Sequence, residues 1–115
     1  TDRSRGLGDV YKRQKYVGIS YSDTKKENSW HIKVYDMNGK TVMENDTEIA
    51  YNRIELLDNN EICVRDDYNC ELFTIHSIRK FRYTFDRQLY NVLSGSDGQN
   101  YTLVLNGEIE EVRLQ

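Results

Sequence analysis

The 115-residue chain is 37% hydrophobic, 11% aromatic and 30% charged, with nine Tyr, seven Gly, one Trp and no Pro, which excludes collagen, a proline-rich linker and a disulfide-dense mini-protein. No apolar run approaches the ~18 residues of a membrane-spanning helix. Sixteen basic against nineteen acidic side chains give a net charge of −3, so a global electrostatic pull on nucleic acid is not expected.

Residues 1–14, TDRSRGLGDVYKRQ, keep no period of 2 or 3.6 and read as a segment outside the fold. The stretch Ser4–Gln14, SRGLGDVYKRQ, resembles the in-frame translation of a transposase adaptor used in preparing sequencing libraries. That resemblance implies non-native residues, set aside before fold reasoning. The expected organisation is a non-native or disordered leader over 1–14 and a C-terminal fragment of a larger domain over 15–115. The leader holds four of the basic and two of the acidic residues, so the remainder carries −5.

From Tyr16 onward the pattern is short strands between turn signals. Tyr16–Tyr21 alternates, with Val17, Ile19 and Tyr21 on one face, and Asp23–Ser29 is a polar loop. Trp30, Ile32 and Val34 alternate against His31, Lys33 and Tyr35, and Met37-Asn38-Gly39 forms a tight turn, since Asn-Gly tolerates positive φ. Thr41–Glu44 and Ile54–Leu57 follow as strands, then a turn at Asp58-Asn59-Asn60, a strand Glu61–Arg65, a turn at Asp66–Asn69 and a strand Cys70–Ile75. Arg79–Phe85, Tyr90–Leu93, Tyr101–Leu105 and Ile109–Leu114 complete the strands, with a loop at Ser94–Asn100 and a turn at Asn106-Gly107. No segment sustains helical spacing over three turns, so the chain is expected to be all-β and antiparallel.

A strand, turn and polar exit recur as Val34–Lys40, more loosely as Phe73–Ser77 and again as Leu103–Glu108; the strands Val17–Ile19, Ile54–Leu56 and Asn91–Leu93 align as well. The anchors lie about 30 to 38 residues apart, in or just under the range of propeller blades. Repetition has a physical reason: one small sheet cannot bury both faces, whereas stacked sheets bury each other's.

The segment Trp30–Lys40, WHIKVYDMNGK, resembles the strand-turn-strand of WD40-like and quinoprotein-like β-propellers. Residues 15–115, through the closing Tyr101–Val104 and Glu111–Leu114, are similar to the C-terminal end of a Firmicutes β-propeller-like family of unknown function. The resemblance implies about two and a half to three consecutive blades of a partial propeller. It also implies an N-terminal membrane anchor and an extracytoplasmic place for the full-length protein. The Trp-Asp dipeptide of WD40 repeats and the Trp-bearing quinoprotein tail motif are both missing, so no cofactor is expected.

Candidate chemistry is sparse. If Asp66 and Asp67 form a two-residue hairpin loop, Cys63 lies opposite Cys70, close enough for a disulfide; a one-residue shift pairs Cys70 with Arg65 instead. A disulfide between Cys63 and Cys70 and two buried reduced thiols are both open, and the spacing does not suit zinc. His31 lies opposite its strand's apolar face and His76 in a turn, without a G-x-S-x-G nucleophile motif. Ser94–Gly98 has neither the spacing of a sialidase Asp-box nor that of a calcium loop. Asp66 and Asp67 are better suited to bonding their own backbone than a cation. Arg79–Phe85 mixes bases and aromatics as a nucleic-acid surface would, yet alternation sets Phe81, Tyr83 and Phe85 against Lys80 and Arg82, as in a half-buried strand. Asn45-Asp46-Thr47 matches the N-glycosylation tripeptide, a weak signal, and weaker still with the bacterial source that the resemblance implies.

The expected function is a non-catalytic binding or scaffolding module that meets a protein or small ligand through blade loops, with Asp23–Ser29 and Ser94–Asn100 as contact candidates. Neither nucleic acid nor membrane contact is expected within these residues. Two alternatives remain: a membrane-anchored sensor or cell-envelope protein, and a propeller enzyme whose catalytic residues lie in other blades.

Overall fold

A computed structural model of the chain describes residues 7–13, 16–22, 30–47, 49–57, 59–95 and 97–114, the first of these by backbone alone. The polar loop expected at Asp23–Ser29 lies outside the described residues, as do residues 1–6 and 14. Among the described residues eleven strands follow one another: β1 (Leu7–Arg13), β2 (Tyr16–Ser22), β3 (Trp30–Asp36), β4 (Thr41–Thr47), β5 (Arg53–Leu56), β6 (Ile62–Arg65), β7 (Asn69–Phe73), β8 (Arg79–Thr84), β9 (Leu89–Ser94), β10 (Asn100–Leu105) and β11 (Glu108–Arg113). They form three antiparallel meanders, β1–β4, β5–β8 and β9–β11, and the described residues contain no helix. The sheets are open and blade-like. Neighbouring strands in sequence are neighbours in space, the arrangement with the lowest cost of loop closure.

Part of the leader set aside in the sequence, Leu7–Arg13, is a strand. It pairs antiparallel with β2 from Leu7↔Tyr21 to Arg13↔Tyr16. Strand addition needs only backbone N–H and C=O groups on an open edge, so a segment without hydrophobic period can still take the lane.

Two cores lie between the sheets. Ile32, Val34 and Met43 of the first sheet meet Ile54, Leu56, Ile62, Val64 and Phe73 of the second. Cys63, Cys70, Leu72 and Phe81 on the second sheet's other face meet Leu89, Val92, Tyr101, Leu103 and Leu105 of the third. The middle sheet is therefore covered on both sides, and all four residues of β6 are buried. In β2, Val17, Ile19 and Tyr21 share a face as expected, but it is the half-buried one; the buried residues are Gly18 and Ser20. Glycine is needed there: a Cβ at Gly18 would stand 3.0 Å from Leu56 Cδ1 and 3.2 Å from Ile54 Cδ1.

The repeat is stricter in space than in sequence. A constant spacing of 38 residues relates Ile32 to Cys70, Val34 to Leu72 and Met43 to Phe81, and each of these six side chains is buried. The turns match bond for bond. In β3–β4, Asp36 N–H donates to Lys40 O at 2.9 Å and Gly39 N–H to Asp36 O at 3.0 Å; in β7–β8, Thr74 N–H donates to Ile78 O at 2.8 Å and Ser77 N–H to Thr74 O at 3.0 Å. The left-handed position is Gly39 (φ 84°) in one and Ser77 (φ 71°) in the other. The third sequence anchor, Leu103–Glu108, is a different hairpin: it joins β10 to β11 and corresponds to the β6–β7 turn. The aligned strands Val17–Ile19 and Ile54–Leu56 are likewise offset by one strand, because β1 occupies the first lane.

Bulges repeat as well. Between Val34 and Tyr35 the register skips Val42, and 38 residues later, between Leu72 and Phe73, it skips Lys80. A bulge re-aims the extra side chain, and that is why Lys80 does not share an outward face with Arg82 as strict alternation predicts.

Candidate functional site

The ends of the sheets gather the connections that could form a site. At one end lie the β6–β7, β8–β9 and β10–β11 loops, linked in series: Phe85 N–H donates to Tyr68 O at 2.8 Å, Leu89 N–H to Asp67 O at 2.7 Å and Asn106 N–H to Gln88 O at 2.8 Å. The junction from β4 to β5 lies at this end too, and beside it opens a cavity of about 220 Å³ lined by Ser20, Tyr21, Trp30, His31, Thr47 and Tyr51 among others. Trp30 sits where β3 begins, opposite both Ser22 and Thr47 in the ladder, so the lone indole stands at the sheet end beside the connection. His31 Nδ1 and Asp46 Oδ1 are 2.7 Å apart, and the imidazole packs on Tyr21 with ring centroids 5.2 Å apart. Ser20 Oγ is buried and has no hydrogen-bond partner among the described residues.

The first interface carries a buried acid. Glu71 on β7 is 2% exposed; Tyr51 O–H donates to its Oε1 at 2.6 Å and Arg79 to its Oε2 at 3.1 Å. Burial, then the bond to Glu71, drives the Tyr51 pKa far above that of an ordinary tyrosine.

The second interface carries a basic latch. The bulge aims Lys80 Nζ at Glu61 Oε2 (2.6 Å), Gly98 O (2.6 Å) and Tyr101 Oη (2.8 Å), and Tyr101 O–H donates to Glu61. All three ammonium protons are thereby committed. Partial burial works against the charge on Lys80, but the bonds to Glu61 and Tyr101 outweigh it and raise its pKa. Such a lysine stays protonated and holds two sheets together. The arrangement positions charge and does not free a nucleophile.

Cys63 and Cys70 are both buried, reduced thiols. The disulfide pairing considered from the sequence needs them directly opposite, but the register sets Cys63 against Leu72 and Cys70 against Arg65, the one-residue shift. Diagonal neighbours on a sheet stand well beyond disulfide reach. The cause is Asp66, whose Oδ1 accepts the N–H groups of Tyr68 (2.9 Å) and Asn69 (2.7 Å) and so lengthens the turn. Burial pushes Cys63 well above the ordinary thiol value and Cys70 up to about 12, which leaves both unreactive.

Asp97 repeats the Asp66 device, accepting from Gln99 N–H at 2.9 Å and Asn100 N–H at 3.0 Å, and those amides hold its carboxyl below the usual range. His76 is exposed in the β7–β8 turn, where its N–H donates to Thr74 Oγ1 at 3.2 Å. The tripeptide Asn45-Asp46-Thr47 falls inside β4. Among the described residues no three His, Cys, Asp or Glu side chains gather as metal ligands would. The sequence-nominated loop Ser94–Asn100 lies at the opposite end from the cavity, beside the Lys80 latch. The cavity residues themselves come from three separated stretches. The alternations of Tyr16–Tyr21 and Trp30–Tyr35 place Tyr21, Trp30 and His31 on strands but do not bring them together.

Among curated proteins none matches the chain. A family model does match, over residues 4–114, and the chain belongs to that family, a family of unknown function (DUF5711).

Proposed function

We propose that these residues are blades of a β-propeller-type binding module, acting without catalysis, that recognises a small ligand or a protein side chain at the sheet ends. The observation that carries this reading is the cavity beside the β4–β5 junction, where Trp30, Tyr21, Tyr51 and His31 are set among hydroxyl and amide side chains. Aromatic walls with a few polar groups at the rim are the common make-up of recognition sites. A dry cavity of roughly 150 Å³ accepts a benzene ring, so 220 Å³ suits one ring with its substituents. The stacked 38-residue repeat supports the propeller part of the reading, because each unit leaves its connections at the two ends, where they form surfaces without disturbing the cores.

The test uses the sole tryptophan. Because Trp30 lines the cavity, its emission, excited selectively over the nine tyrosines, reports occupancy of that site. Titration with monosaccharides, nucleosides and free aromatic amino acids is expected to give one class that shifts the emission and raises Tm. The Trp30→Ala variant is expected to abolish that rise in Tm while keeping its own cooperative melt. A ligand that raises Tm equally in the parent and in Trp30→Ala would place recognition elsewhere and overturn the assignment of the site.

A further inference from the structure

The repeat shows which side chain the cavity beside Trp30 replaces. Ser20 stands opposite Ile32 in the β2–β3 ladder, and Arg65 stands opposite Cys70 in the β6–β7 ladder. Ile32 and Cys70 are related by the 38-residue spacing, so Ser20 holds in the first sheet the place that Arg65 holds in the second. Arg65 is 5% exposed and fills its place with a long side chain whose Nε donates to Glu55 Oε1 at 3.0 Å. Ser20 is 4% exposed and lines the cavity, and its Oγ has no hydrogen-bond partner among the described residues. A buried hydroxyl without a partner costs stability, and one that faces a cavity is satisfied by what enters there. The walls come from β2, β3, β4 and the β4–β5 junction. They belong to two sheets that pack on each other, so this is not an edge that a further strand would extend.

The side chains around Ser20 define the ligand. Ser20 and Ser22 share a face of β2, and Trp30 lies between Ser22 and Thr47 in the ladder. The indole is thus flanked by a hydroxyl residue on either side, with Tyr51 and Asn52 on the junction. Tyr51 has given its O–H to Glu71 at 2.6 Å and offers its ring; Thr47 Oγ1 donates to Ile49 O at 2.9 Å and is left to accept. Among the described residues the lining holds the His31 imidazole but no carboxylate, ammonium or guanidinium. A charged ligand would lose its hydration there without meeting a counter-charge. A flat aromatic face bordered by hydroxyls suits a ring with apolar faces and a polar edge. Hydroxyls on that edge can meet Ser20 as donor or acceptor.

We propose that the cavity takes an uncharged pyranose, one monosaccharide unit stacked on Trp30 with a hydroxyl bonded to Ser20 Oγ. The assignment rests on this cavity being the recognition site and names the chemical class of its ligand.

The experiment titrates the full 115-residue chain with glucose, galactose and mannose, read by Trp30 emission and by Tm. Each is set against charged counterparts: glucuronate, galacturonate and protonated glucosamine. At least one neutral sugar is expected to saturate the signal and to bind about 10-fold or more tightly than its charged counterparts. Ser20→Ala is expected to weaken that sugar about 3–10-fold while leaving the unliganded Tm unchanged or higher, because it removes an unsatisfied buried hydroxyl. Methyl glycosides separate the two sources of such a unit: retained binding assigns the end of a glycan, and lost binding the free sugar. Failure of every neutral sugar, equal binding of a charged one, or unchanged affinity in Ser20→Ala would overturn the proposal. So would a lower unliganded Tm in Ser20→Ala, which would tie the hydroxyl to the fold and not to a ligand. A nucleoside or aromatic amino acid that binds here where no sugar does would overturn the sugar assignment and leave the site standing. A sugar whose effect on Tm persists in Trp30→Ala would overturn the site itself.

Discussion

Raising the pH should unfold this protein through its two thiols. Cys63 and Cys70 are 0% exposed in the core between the second and third sheets. An unfolded thiol titrates near 9.0, whereas burial raises Cys70 to about 12 and Cys63 well above its ordinary value. The native state therefore keeps two protons that the unfolded state gives up. Stability is fully present below pH 9 and declines as the pH climbs toward the folded values. At pH 10 each thiol costs on the order of 1–2 kcal/mol, set by the unfolded value as long as the folded one lies well above it. Together they remove roughly 3 kcal/mol between pH 7 and pH 10, on the order of 10–20 °C in Tm for a chain of this size. Urea titrations across that range, monitored by far-ultraviolet circular dichroism, give the slope directly. A Cys63→Ala/Cys70→Ala variant starts lower because it leaves small voids, but from pH 7 to pH 10 it should lose only the smaller part that the raised Tyr51 and Tyr101 contribute. If that variant loses as much stability as its parent over the same range, the thiols are not what alkali titrates, and the reasoning from burial fails.

Gly18→Val should cost about 1–3 kcal/mol by overpacking against Ile54 and Leu56, with Gly18→Ala milder because the atoms it meets are side-chain ends; urea midpoints measure both. Arg79→Ala removes the guanidinium bonded to Oε2 of the buried Glu71. The loss should be about 1–2 kcal/mol, below the 3–5 of a fully buried pair because Arg79 is half in water, and adding Glu71→Gln in a double-mutant cycle should return part of it. Gly39→Ala puts a Cβ at φ +84° and should lower stability by about 1–2 kcal/mol. At the matching position Ser77→Gly should change little, since relief of positive φ offsets the lost bond from Ser77 Oγ to Glu44 O; thermal melts of the pair test the equivalence of the two turns.

What could be read in advance depended on whether the signal was local. Alternation in Trp30–Tyr35 and the aromatic face Phe81, Tyr83, Phe85 report pleat geometry within one strand, and both hold in the fold. The register at Cys63 and Cys70 was decided by one carboxylate, Asp66, capturing two amides, a choice between turns that hydrophobic pattern does not weigh. Lys80 was misplaced because a bulge exists only relative to a partner strand. The repeat surfaced as loose anchors because its 38-residue partners share roles and not identities: Ile with Cys, Val with Leu, Asp with Thr, Gly with Ser. β1 carries no alternating pattern for a related reason. Its lane is held by backbone pairing to β2, and a backbone leaves no mark in composition. The cavity at Trp30 needed three separated stretches brought together.

A low mean hydropathy of −0.81 follows from how burial is divided among the sheets. Among the described residues only the middle sheet is covered on both faces, and only its strands β6 and β7 read as near-continuous buried runs, as doubly covered strands do. The outer sheets each need one apolar face and can spend the other on charge, as β3 does with His31 and Lys33. The polar groups that do enter the middle sheet come with partners: Arg65 with Glu55 at 3.0 Å, and Glu71 with Tyr51 and Arg79. Adjacent residues of β8, Arg79 and Lys80, serve the two sides. The first bonds Glu71 at the interface with the first sheet, and the second latches Glu61 and Tyr101 at the interface with the third. In a stack whose units touch only their neighbours, stability sums over interfaces. Both cores here include the second sheet, so each outer sheet depends on it and neither depends on the other.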